Sequence, residues 1–252
     1  MSLPITGERT VPDVAEENYW FRRHLVVYEA LLYDALLPRC TGVVLEAGCG
    51  EGYGADLLAR VAERVVALDY DTQAIAHVAR RYPRVAAARA NLVALPVRGS
   101  GVDAVVSLQV VEHLWEQERF LGECLRVLRP GGALLLSTPN RLTFSPGQDT
   151  PLNPFHTREL SAAELAGLVA DAGFVDVTML GLHHGPRLRT LDAAQGGSLV
   201  AAQTTVALAG SAWPHGLLRD VASVTTADFA LDADDVDACL DLVALARRPS
   251  PG

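Results

Sequence analysis

Residues 43–54 read VVLEAGCGEGYG: an apolar run closing through Glu46, then glycine at every second position, Gly48, Gly50, Gly52 and Gly54. An apolar run that breaks into a turn almost without side chains marks a strand crossing into a helix, with the backbone left bare for close approach. Working outward, element types alternate. Strands are expected at 43–47, 64–68, 85–89, 103–108, 132–138 and 174–180, with helices at 53–62, 72–82, 115–128 and 161–172. Strands separated by helical segments build βαβ units, hence an α/β fold with a doubly wound, mostly parallel sheet. The stretch DAVVSL (103–108) is nearly all apolar, as a strand covered on both faces must be, so it belongs mid-sheet.

The 252 residues suit one core with an embellishment. A helical lead-in occupies 1–40, with helical spacing of Trp20, Phe21, Val27, Leu31, Leu32 and Leu36 from Glu16 to Leu37; the cofactor-binding core is 41–181. The excursion 182–235, with a helix near 190–209, is too long for a plain loop and reads as an inserted cap or an oligomer contact, the latter implying a homodimer. A last strand, CLDLVALA (239–246) within 236–247, is expected at a sheet edge, antiparallel to 174–180, making seven strands in all.

The net charge of −9, with arginine pairs only at 22–23, 80–81 and 247–248, disfavours nucleic acid as a partner. No apolar run approaches the roughly 20 residues that span a bilayer, and the start lacks the pattern of a secretory signal, so a cytoplasmic location is expected. Cys40, Cys49, Cys124 and Cys239 are scattered without ligand spacing and read as reduced, buried thiols.

The ligand of the glycine turn follows from charge. A dinucleotide fingerprint is G-x-G-x-x-G, whereas here Tyr53 stands at the third small position. Glu46, just ahead of the turn, would repel a pyrophosphate and welcome a cation. Asp69 closes the second strand about 20 residues on, where an acidic side chain accepts from ribose hydroxyls. A nucleoside bearing positive charge meets both conditions, and S-adenosylmethionine is one.

Five segments, VLEAGCGEGYG, ALDYD, NLVALP, DAVVSLQVVEHL and LRVLRPGGALLLSTPN, resemble in order and spacing the class I S-adenosylmethionine-dependent methyltransferases across about 40 to 180. The resemblance implies a Rossmann-like methyltransferase fold. It also implies that Gly48, Cys49 and Gly50 line the methionyl part near Glu46, that Asp69 takes the ribose, and that Tyr70 lies along the adenine. Asn91-Leu92 stands where the family usually has Asp before the adenine-edge residue, and the Asn91 carbonyl oxygen can still accept from the adenine amine. Gln109, just past the strand 103–108, and Trp20, from a lead-in helix that in this family folds over the cofactor, complete that set.

SLQVVEHL places Gln109, Glu112 and His113 beyond the central strand, and an E-H pair there is found in O-methyltransferases of the family. A hydroxyl acceptor is a poor nucleophile unless a base takes its proton or a metal lowers its pKa. Two readings stand side by side: His113 as general base with His156 of NPFHTREL orienting the acceptor, or Glu112, His113 and His156 around Mg²⁺ with Gln109 as a weaker oxygen ligand.

The stretches TGERTVP, EENYWFRRH, STPNRLTFSPG and NPFHTREL resemble a narrower group of methyltransferases linked to polymethylated polysaccharides such as methylglucose lipopolysaccharide. That resemblance implies a carbohydrate hydroxyl as acceptor. The alternatives are a small phenol or quinone, or a scaffold that binds cofactor without catalysis.

Overall fold

The structure, a computed structural model, describes residues 10–33 and 42–251. Within them the lead-in forms a 3-10 turn (Ala15–Glu17) and the helix α1 (Asn18–Tyr33); residues 1–9 and 34–41, with Cys40, lie outside the described residues. The Asn18 side-chain amide donates to the backbone carbonyls of Val221 and Val224 at 3.0 Å each, anchoring the start of α1 to a distant turn.

The amino-terminal half follows the expected alternation: β1 (Val43–Ala47), α2 (Tyr53–Leu58), β2 (Arg64–Asp69), α3 (Thr72–Arg81), β3 (Val85–Arg89), β4 (Val102–Leu108) and α4 (Gln117–Val127). Every residue of β4 is buried. Its neighbours β1 and β5 (Leu128–Pro139) run parallel to it, and a nearly continuous apolar strand is what two covered faces require. Asp71 caps α3, its carboxylate accepting from the N–H groups of Gln73 and Ala74, which leaves Asp69 outside the cap.

The carboxyl-terminal half corrects three expectations. After α5 (Arg141–Phe144) and α6 (Ala162–Asp171), β6 (Val175–His184) runs on past 180. The single helix expected near 190–209 is two, α7 (Pro186–Ala194) and α8 (Leu199–Ala209), because Gly196 and Gly197 between them take φ of +80° and +107°. After α9 (His215–Ala222), a short β7 (Phe229–Asp232) pairs with β6, giving eight strands instead of seven.

The third correction concerns the final strand. β8 (Asp241–Arg247) is not at an edge: the order is β3-β2-β1-β4-β5-β8-β6-β7, with β8 antiparallel to β5 on one side and β6 on the other. Its run LVA is buried throughout, whereas an edge strand would leave one row of backbone groups to water.

Leu188, Leu199, Leu217, Val221 and Phe229 of the 182–235 segment bury together with Tyr19 of α1, Leu182 of β6 and Leu240, just ahead of the last strand. Among the described residues no helix is long and apolar enough to cross a membrane. Cys49, Cys124 and Cys239 are buried free thiols, and burial pushes all three thiols up, Cys239 to about 12.

Candidate active site

In the parallel part of the sheet, order reverses between β1 and β4, and at such a switch point ligands bind in the crevice beyond the carboxyl ends of the strands. The Ser107 hydroxyl ties the two strands by donating to the Ala47 carbonyl at 2.7 Å. The turn after β1 folds back so that Gly48 and Cys49 both donate to the Leu68 carbonyl, at 2.8 and 3.0 Å. Gly48 has φ +84°, and a Cβ there would collide with Val110 from the turn after β4. Gly50 has φ +48° and nothing within 4 Å of where a Cβ would stand, so space lies open above this backbone.

Glu46 is buried beneath the turn. The Tyr28 hydroxyl donates to its Oε1 at 2.5 Å, while its Oε2 is buried without a hydrogen-bond partner. Burial outweighs the donors and pushes the carboxyl up to about 8. The ionised form lacks a counter-charge here, which a cationic ligand above Gly50 would supply. Asp69 accepts from Gly50 N–H at 2.8 Å and Asp71 N–H at 2.9 Å, so it braces the turn and retains further acceptor capacity.

Tyr70 is 60% exposed, with the Arg89 guanidinium 4.9 Å from its ring centre. Leu92 is buried, and Asn91 Oδ1 accepts from Val93 N–H at 3.1 Å. Trp20 packs edge-on against Tyr19 and over the Arg23 guanidinium, beside the core shared with residues 182–229. From α1, Tyr28 reaches Glu46, while Phe21 and His24 reach Tyr53, the Phe21 ring centre 5.0 Å from that of Tyr53 and the His24 Nδ1 2.8 Å from its hydroxyl. Sequence reasoning passed over Tyr28.

On the far side of the crevice, Glu112, His113 and His156 converge, each offering a ligand atom within 4.8 Å of the others. The two imidazoles meet edge to face with centres 4.9 Å apart. Loop 151–157 is held there by Thr157, whose N–H and hydroxyl donate to the Glu112 carbonyl at 2.7 and 3.0 Å. Glu112 is buried; the Thr138 hydroxyl donates to its Oε2 at 3.0 Å, and burial raises its pKa.

The hydrogen bonds assign the protons. His113 Nδ1 is 2.9 Å from the Phe155 carbonyl, which can only accept, so Nδ1 carries a proton and, in the neutral ring, Nε2 the lone pair. His156 Nδ1 donates to Glu159 Oε1 at 2.6 Å, and its Nε2 accepts from the Asn153 amide at 3.0 Å. Asn153 Oδ1 accepts from Phe155 N–H, which identifies the amide nitrogen. Glu159, buried behind His156, escaped sequence reasoning, although the spacing in HTRE held the signal.

Gln109 does not join this group, contrary to the Mg²⁺ reading. Its amide donates to Ser137 Oγ at 3.1 Å and Asp241 Oδ1 at 3.3 Å, whereas Glu112 is held by Thr138, and neighbouring strand residues point to opposite faces. His184 is also committed elsewhere, to the Tyr19 hydroxyl (2.7 Å) and Asp192 (2.6 Å).

A mostly parallel sheet whose first crossover carries a buried carboxylate, an open glycine turn and an acidic strand end defines a nucleoside-cofactor enzyme of the Rossmann-like class. The methyltransferase domain family matches residues 45–136. A probable S-adenosylmethionine-dependent methyltransferase of Mycobacterium tuberculosis is 61% identical over 252 residues, 98% of this chain and 90% of that one. A counterpart from Mycolicibacterium smegmatis is 59% identical, over 98% and 96% of the two chains. The crystal structure of an S-adenosylmethionine-dependent methyltransferase from Thermotoga maritima shares the fold, with a TM-score of 0.63 at 18% identity over 92% of this chain and 95% of that one. The chain belongs to the S-adenosylmethionine-dependent methyltransferases.

Proposed function

We propose that the chain transfers a methyl group to a hydroxyl oxygen, with His113 as general base. The observation that carries this reading is the proton assignment at His113: with Nδ1–H held by the Phe155 carbonyl, Nε2 is left as a proton acceptor beside a buried carboxylate. S-adenosylmethionine, when bound, supplies an electrophilic methyl on a sulfonium leaving group. Glu46, with its unpartnered Oε2, would hold the cationic end of the cofactor, Gly48, Cys49 and Gly50 would give it backbone clearance, and Asp69 would take the ribose hydroxyls. Tyr70, Asn91 and Leu92 would border the adenine. Glu112 would stabilise the imidazolium formed when His113 takes the hydroxyl proton, and His156, held by Glu159 and Asn153, would steady the His113 ring by its edge-to-face contact.

The donors do not suit Mg²⁺. Two of the three are imidazole nitrogens where a hard ion requires oxygen, His156 gives both ring nitrogens to protein partners, and Gln109 lies elsewhere. Proton transfer to His113 needs no metal.

For the acceptor, a carbohydrate hydroxyl is favoured. Trp115 is 86% exposed two residues from His113, and Phe155, whose carbonyl holds the imidazole, is 42% exposed. Aromatic faces beside polar groups suit the C–H faces and hydroxyls of a sugar, in keeping with the resemblance to polysaccharide methyltransferases. The same faces would seat a phenol or quinone, which is the second reading. Incubating the protein with S-adenosylmethionine and matched panels of oligosaccharides, phenols and quinols, with mass detection of product, decides between them. A methylated sugar supports the reading; methylation confined to phenols or quinols replaces it. Turnover unchanged in His113→Ala removes the base.

A further inference from the structure

Four separated parts of the chain meet at one buried carboxylate, Asp241, the first residue of β8. Arg23 of α1 grips it with Nε and Nη2, and both side chains are 2% exposed. The guanidinium lies between two aromatic rings, with Trp20 at 5.0 Å and Phe144 at 4.8 Å to the ring centres. Asp241 Oδ1 also accepts from the Gln109 amide at 3.3 Å, and Arg23 Nη2 donates to Gln109 Oε1 at 3.4 Å. Ser137 of β5 holds Gln109 twice, its hydroxyl accepting from the amide at 3.1 Å and its carbonyl from the backbone N–H at 2.9 Å.

Gln109 has φ +57°, in the left-handed region that a side chain with a Cβ rarely occupies. Such a conformation persists where its surroundings over-determine it. Here it starts the turn that sets Val110 against Gly48 and carries Glu112 and His113, with His113 N–H donating to the Val110 carbonyl at 3.0 Å. The other end of the turn is tied by Thr157. A turn held at one end only would let the imidazole swing.

We infer that Asp241 is a positioning residue: with Arg23 it clamps Gln109 in the left-handed conformation and so aims the 109–113 turn, and His113 with it, into the crevice. This rests on the reading of His113 as base but does not need the acceptor to be known. Asp241 and Gln109 are 132 residues apart, and Asp241 and Arg23 218, so the clamp couples the last strand and first helix to the chemistry.

The test is side-chain NMR of the full chain labelled with ¹⁵N-histidine, comparing the parent with Gln109→Ala, Gln109→Gly and Asp241→Asn. In the parent, His113 should show a protonated Nδ1 held by Phe155. All three variants should lose that signal, while His215, exposed at the start of α9, stays unchanged. Asp241→Asn leaves a buried arginine short of its partner and can fail to fold. The double replacement Arg23→Met with Asp241→Leu removes both charges together, and it should melt near the parent temperature yet still lose the His113 signal. With an acceptor in hand, turnover should fall about tenfold to hundredfold while cofactor affinity by calorimetry shifts less than about threefold. An unchanged His113 signal in Gln109→Ala and in the double replacement overturns the inference. If His113→Ala keeps full turnover while the clamp variants lose the signal, the base assignment falls and the clamp stands.

Discussion

The Tyr28 hydroxyl on α1 donates to the Glu46 carboxylate at the end of β1 across 2.5 Å, joining the first helix to the floor of the crevice. Only one of the two carboxylate oxygens is satisfied in this way.

A proton balance follows. Burial raises Glu46 from the usual 4.5 to about 8, so without ligand the folded protein holds a proton there near neutrality that the unfolded chain has lost. The contribution to stability is therefore full below pH 4.5 and declines as pH rises toward about 8. A cationic cofactor favours the ionised form. Calorimetry at pH 7 in buffers of differing ionisation enthalpy should show about one proton released per S-adenosylmethionine bound, and none in Glu46→Gln.

The two central glycines should fail in different ways. Alanine at Gly48 brings a Cβ into Val110 at a positive φ, so Gly48→Ala should lower the melting temperature by several degrees, the loss being about 1–3 kcal/mol. Gly50→Ala meets open space and costs only about 1 kcal/mol for its conformation. Its methyl enters the crevice instead, so cofactor affinity should fall at least about tenfold with little change in melting.

His113→Ala should lower turnover by about 10²–10⁴ with cofactor affinity nearly unchanged, measured by product mass and calorimetry on the same preparation. Extensive treatment with a chelator should leave the parent rate intact; a loss restored by a divalent metal would overturn the metal-free reading.

Glu159→Ala strips His156 of its Nδ1 acceptor in a site where the imidazole is only 4% exposed. The expected cost is about 1–3 kcal/mol in chemical denaturation, with reduced turnover. Glu159→Gln keeps an acceptor oxygen and should recover most of both.

What was legible in the sequence was local. The strand-to-glycine turn, the acidic end of β2 and the apolar β4 each announce themselves within a dozen residues, because period and turn chemistry are short-range properties. The proximity of His113 and His156 was inferred from two loops at one sheet end, which parallel topology enforces. What escaped depends on distant partners. Nothing near Arg23 reveals Asp241, and the spacing of Gln109 from Glu112 suggested one cluster where Ser137 and Thr138 draw them to opposite faces of β5. The strand LVALA was placed at an edge although its unbroken apolar run argues for cover on both faces, a cue available in the sequence itself.

The location of β8 has a consequence for biosynthesis. On a ribosome, β1 to β6 emerge before residues 241–247, yet β6 joins the sheet only through β8. Until that strand arrives, the flank of β5 is an open edge able to recruit a neighbouring nascent chain. Translation stalled or cut short just before Asp241 should therefore leave an aggregation-prone intermediate and not a slightly shortened enzyme.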